Sequence, residues 1–124
     1  MAKFIIDREK WGKYTIYEQL GNIGAEVGRA INARRLGYDY RIEGAVIRAQ
    51  DLFLATAECI IKSGQKVHRV KEILRARDQF MEFIYGDGFD ETEAVKIENY
   101  FMYFAYIART QILDERERMS KDAQ

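Results

Sequence analysis

The 124-residue chain has no proline, one cysteine, one histidine and one tryptophan. Without proline nothing in the sequence forces a helix to kink or stop, so its long periodic runs are expected to be helices joined by short connections. A single cysteine excludes an internal disulfide, a C-x-x-C-H haem attachment and a thiolate zinc site. Cys59 lies among apolar neighbours and is expected to be a small buried hydrophobe in a reducing compartment. The one histidine, His68, has no glutamate three residues before it and no arginine in the preceding turns. The Glu-x-x-His pairs of a di-iron bundle, a Ser-His-Asp set and the arginine–histidine pair of helical ribonucleases are therefore all missing. His68 is expected at the surface of a basic stretch, and no enzymatic activity, catalytic residue, metal or cofactor is expected. No apolar segment approaches the roughly 18 residues that cross a bilayer, and charges stand where a secretory signal would hold its apolar core, so a cytoplasmic location and no membrane partner are expected. Twenty basic and twenty acidic residues cancel. Zero net charge removes the simplest argument for a nucleic-acid binder but leaves local patches open.

What is present points to one soluble domain over residues 1–124, with 48% hydrophobic and 32% charged residues. Residues 1–13 lack a clear period. Phe4, Ile5 and Ile6 precede the charged Asp7 to Lys10, which reads as an N-terminal arm that folds back with Trp11 plugging one end of the core. Thr15 and Glu18 form a capping-box pattern that starts a first helix, with the stripe Ile16, Leu20, Ile23, Val27 and Ile31, running to about Leu36 where Gly37 is a left-handed stop. Asp39 is expected to cap a second helix with the stripe Ile42, Val46, Ala49, Phe53, Thr56 and Ile60, ended by Gly64. A third begins near Lys66, buries Val67, Val70, Ile73, Leu74, Phe80, Met81 and Ile84, and stops at Gly86-Asp87-Gly88. Asp90 and Glu93 form a second capping box for a fourth helix through Ala94, Ile97, Phe101, Phe104, Ala108 and Ile112 to about Arg118, leaving 119–124 as a frayed tail. The fold expected is all-α: an up-down-up-down antiparallel four-helix bundle with a short N-terminal arm.

Three features exceed what such a bundle needs. The first helix carries Gly21, Gly24 and Gly28 beside its apolar stripe, although each interior glycine costs roughly 1 kcal/mol relative to alanine. They predict a groove without side chains, for a neighbouring helix of the same chain or for a partner helix or flat ligand. Second apolar seams run along the second helix at Ile47, Leu54, Ala57 and Ile61, interrupted by Gln50, and along the fourth at Val95, Met102, Tyr106 and Leu113, with Asn99 and Arg109 completing the alternation. A monomer uses one stripe per helix, so Ile47, Leu54, Ile61, Val95, Met102, Tyr106 and Leu113 are candidates for a subunit interface of a homo-oligomer, while scattered surface apolar residues are the plainer alternative. Finally, Lys62, Lys66, Arg69, Lys71, Arg75 and Arg77 stand against a single Glu72, whereas Asp87 to Glu98 is acidic apart from Lys96. The basic stretch is a candidate phosphate-binding surface, to which Arg29, Arg34 and Arg35 could add; a solvated face, or a basic region meeting an acidic one across subunits, are the alternatives. No aromatic residues interleave with these cations in the third helix as a stacking platform requires. Glu26 and Arg29 are expected to form a structural ion pair.

The segments N-I-G-A-E-V-G-R-A-I (Asn22–Ile31), Y-G-D-G-F from Tyr85, and Y-F-M-Y-F-A-Y-I-A-R ending at Arg109 resemble a group of small prokaryotic and phage proteins over most of the chain. These look like relatives of the four-helix-bundle proteins that include the 23S rRNA intervening-sequence protein and the accessory variability determinant of diversity-generating retroelements. The resemblance implies a ring of five bundles, without activity of its own, that contacts a reverse transcriptase and its template RNA through basic surface. The expected function is that of such an accessory. The alternatives are an adaptor that binds a partner helix without nucleic acid and a small-molecule binder near the tyrosines of the fourth helix.

Overall fold

A computed structural model describes residues 6–64 and 67–123. It is all-α, 86% helical, with α1 at Arg8–Trp11, α2 at Ile16–Leu36, α3 at Asp39–Lys62, α4 at Val67–Tyr85 and α5 at Glu91–Asp122. No helix among the described residues is long and apolar enough to cross a membrane.

Local chemistry sets most of the boundaries. The Glu18 N–H donates to Thr15 Oγ1 at 3.1 Å and the Thr15 N–H to Glu18 Oε1 at 2.9 Å, closing the capping box of α2. Gly37 takes φ 78°, and the N–H groups of Gly37 and Tyr38 donate to Arg34 and Ala33 oxygens, a Schellman closure. That closure overturns the cap expected at Asp39. Tyr38 is the N-cap of α3 and makes no side-chain capping bond, while Asp39 is already the first helical residue. The Schellman motif uses both linking residues, so Asp39 is left to act on the positive end of the helix dipole. At α5, Asp90 accepts from the Thr92 and Glu93 N–H groups, which is the aspartate half of the expected box. The helix then continues to Asp122, past the expected end near Arg118. Nothing in 119–122 breaks it, and Glu117 pairs with Lys121 one turn on at 3.6 Å.

The buried stripe of α2, with Ile23, Val27, Ala30 and Ile31 wholly enclosed, is sandwiched between α3 and α5. α3 supplies Ile42, Val46, Ala49, Phe53, Thr56 and Ile60, α5 supplies Ala94, Ile97, Phe101 and Ala108, and Phe53 meets Phe101 edge-on at 5.9 Å. α4 lies on α3 through Ile73, Ala76, Phe80 and Ile84. Two expected core residues are corrected. Val67 is exposed because the first turn of α4 lies beyond Ile60, the last buried residue of α3; Ile112 is exposed because α5 outruns the start of α2.

The arm is tied to α3. The Arg8 guanidinium donates to both Asp51 oxygens at 2.9 Å, and the Ile6 N–H donates to the same carboxylate. Trp11, 4% exposed, donates its indole N–H to Thr56 Oγ1 at 3.1 Å, and Gln19 donates to the Trp11 carbonyl. Phe4 and Ile5 lie outside the described residues. The Arg8 hydrogen bond holds the Asp51 carboxyl below its ordinary range, against the opposing effect of burial and with help from the Ile6 N–H. A carboxyl depressed on folding stabilises the protein above its unfolded pKa of about 3.9, and that contribution disappears as pH falls through the folded value. Urea titrations of the wild-type chain and Asp51→Asn should therefore differ at pH 7 and converge as the pH falls through the folded value of Asp51; a gap that does not shrink on acidification would remove Asp51 as its source.

Candidate functional site

One side of the glycine groove is taken up by the chain itself. A methyl group on Gly24 would lie 2.6 Å from Phe101 Cβ, and one on Gly21 3.1 Å from Ala105 Cα. As α2 ascends from Gly21 to Gly24 its partners on α5 descend from Ala105 to Phe101, so the two helices run in opposite directions at close range. Gly28 departs from the expected set: nothing lies within 4 Å of its added methyl position. All three glycines still line a shallow apolar groove of about 290 Å³, beside Ala25, Phe101, Met102 and Ala105.

The two second seams face solvent. Ile47, Leu54 and Ile61 on α3, and Val95, Met102, Tyr106 and Leu113 on α5, are between 41% and 69% exposed. Ala57 is not part of the α3 seam but is buried, and Gln50 turns to α4, where its amide donates to Met81 Sδ.

The basic stretch is less of a surface than its spelling suggests. Lys62, Arg69, Lys71 and Arg75 are exposed with no carboxylate partner among the described residues, Arg77 pairs with Asp78 at 3.1 Å, and Lys66 lies outside the described residues. At 100° per residue, Lys71 and Arg75 share their helix face with Asp78 and Glu82, while Arg69 and Arg77 fall on other azimuths. His68 is exposed among them. The two arginines closing α2 are engaged elsewhere. Arg34 donates to the Gly86 and Gly88 carbonyls, bracing the α4–α5 turn. Arg35 binds Glu91 and Glu98 and lies 5.6 Å from the Phe89 ring; hydrogen bonds from Glu91 first and Glu98 second raise its pKa above the ordinary arginine value. Arg35 thus has its charge paired, while Arg34 spends one nitrogen on neutral carbonyls.

A cation cluster that the sequence reading did not assemble sits where α2 ends and α3 begins. Glu26, whose side chain is 14% exposed, accepts from Arg29 at 2.8 Å and from Arg48 at 3.0 Å, so one carboxylate positions two guanidiniums from two helices. They border a cleft of about 410 Å³ whose lining also includes Tyr38, Tyr40, Arg41 and Gly44 and contains no acidic residue. The Arg41 guanidinium lies 5.0 Å from the Tyr38 ring centre and 5.4 Å from that of Tyr40, and it has no carboxylate partner among the described residues. Gly44 leaves room for Arg48: an added methyl would stand 3.3 Å from its Nη1. The signal available in the sequence was Y-D-Y-R, Tyr38 to Arg41, directly after the helix-stopping Gly37.

No protein-family model, curated protein or solved structure matches the chain. Among the described residues no group of three or more histidine, cysteine, aspartate or glutamate side chains is placed to hold a metal ion.

Proposed function

We propose that the protein is a non-enzymatic accessory of a cytoplasmic nucleic-acid complex, assembling with copies of itself and contacting a reverse transcriptase and its template RNA. In this reading α2 to α5 form an up-down-up-down antiparallel bundle carrying the α1 arm, which the opposed run of α2 and α5 and the short connections support. The observation that carries self-association is the pair of solvent-facing apolar seams on α3 and α5, the two helices flanking α2. The occupant is a second copy, because the seams are commensurate. Ile47, Leu54 and Ile61 recur every seven residues, and Val95, Met102, Tyr106 and Leu113 at steps of seven, four and seven, a period at which two helices interlock side by side. Two different faces on opposite flanks make a head-to-tail contact, which closes into a ring, and the resemblance supplies five as its number. Lys62, Lys71 and Arg75, exposed and without a carboxylate partner among the described residues, supply the charge for RNA. The adaptor alternative keeps the shallow apolar groove that Gly21, Gly24 and Gly28 line beside Phe101, Met102 and Ala105.

Light scattering at two salt concentrations, with and without a structured RNA, tests this. The wild-type protein should be oligomeric and gain mass with RNA at low salt only. Met102→Glu with Leu113→Glu should reduce it to monomer. Lys71→Glu with Arg75→Glu should keep the oligomer and weaken RNA binding about tenfold near 0.1 M salt. A wild-type monomer indifferent to RNA would overturn the reading.

A further inference from the structure

We propose that the cleft at the α2–α3 junction holds an unpaired nucleotide of a single-stranded nucleic acid, with the base stacked on Tyr40 and the adjoining phosphate on Arg29, Arg41 and Arg48. This rests on the preceding reading that the protein works on nucleic acid, and it names the kind of strand and the residues that meet it.

The charge is local and only partly compensated. Three guanidiniums border the cleft; Arg29 and Arg48 share the single carboxylate of Glu26, and Arg41 has none among the described residues. The balance in the cleft is cationic although the chain as a whole is neutral. Glu26 uses only one nitrogen of each arginine, so it fixes their position while leaving further N–H donors for phosphate oxygens. Asp39 and Glu43 are exposed on the same end of α3 but do not line the cleft.

The second requirement is a flat apolar surface beside the charge. Tyr40 is 76% exposed, and Tyr38 is also at the surface, its ring centre 6.2 Å from that of Tyr40 with Arg41 close to both. Arginine packed on the tyrosines holds the platform while the remaining ring surface stays open to solvent. Cations beside open aromatic faces are what sequence-tolerant single-strand binding uses, each base stacking on a ring while phosphates follow the charge. A duplex keeps its bases stacked inside and presents phosphates alone, so it has no use for Tyr40. An acidic peptide would use the arginines without the ring.

The test measures binding of a fluorescein-labelled oligouridine 12-mer, and of a fully paired RNA hairpin, to the full-length chain by anisotropy. Tyr40→Ala should weaken the 12-mer about tenfold or more, Tyr40→Phe should stay within about twofold, and both should leave the hairpin and the helical circular dichroism unchanged. Arg41→Gln should weaken the 12-mer and reduce its salt dependence by about one released ion. Equal 12-mer affinity for wild type and Tyr40→Ala, while Lys71→Glu with Arg75→Glu still weakens the structured RNA, would overturn the cleft proposal alone. A wild-type protein that binds neither RNA would overturn it together with the accessory reading. Displacement of the 12-mer by micromolar uridine monophosphate would replace the single strand by a free nucleotide as ligand, and displacement by polyglutamate at matched charge concentration would replace it by an acidic peptide; either result overturns the proposal.

Discussion

Trp11→Ala is expected to lose about 3–5 kcal/mol of unfolding free energy, the range for removing a large aromatic side chain from a packed core. Trp11 stands on a single turn of helix, and one turn has no independent stability, so the arm is held by what it packs against. Those contacts are the buried indole ring, its edge-on approach to Tyr14 at 5.7 Å, the N–H bond to Thr56 and the bond from Gln19 to the Trp11 carbonyl. Truncation empties the ring's volume and leaves the wholly buried Thr56 hydroxyl without its donor. Trp11→Phe keeps much of the ring and loses the donor, and should cost about 1–2 kcal/mol, which separates the two contributions. Urea denaturation followed by circular dichroism measures both. A loss under about 1 kcal/mol for Trp11→Ala would mean that the docked arm contributes little to the folded state.

The second large effect is at α2 against α5. Gly24→Ala gains roughly 1 kcal/mol of helix propensity but places a methyl carbon 2.6 Å from Phe101 Cβ, where the neighbour is a rigid β-carbon and cannot swing aside. The helices must separate along their contact, and the net result should be a loss of about 1–3 kcal/mol, with Gly24→Leu losing more. Gly28→Ala, with nothing within 4 Å, should instead stabilise by about 0.5–1 kcal/mol. Opposite signs four residues apart on one helix are hard to obtain any other way. Equal, small effects at both positions would remove the close α2–α5 contact. Gly24→Leu therefore reports on the fold, whereas a substitution at Gly28 meets no neighbouring atom within 4 Å.

The sequence by itself determined where α2 and α5 begin, where α2, α3 and α4 end and which side of each long helix is buried. The capping box at Thr15, the left-handed Gly37, the stripe from Ile42 to Ile60 and the surplus apolar residues on α3 and α5 are short-range chemistry, written at spacings of three, four and seven. Tertiary structure decided what each surface residue faces. Periodicity along one helix cannot say which residue of the next lies opposite. Arg34 and Arg35 read as free cations until the α4–α5 turn arrives beside them, more than fifty positions along. Gly24 and Gly28 look equivalent until Phe101 fills the space at one and leaves the other open. Arg29, Tyr40, Arg41 and Arg48 become one cleft only because the register of α2 on α3 lets Glu26 reach both helices. That register is set by how two whole stripes interdigitate, a property of the pair that neither helix encodes alone.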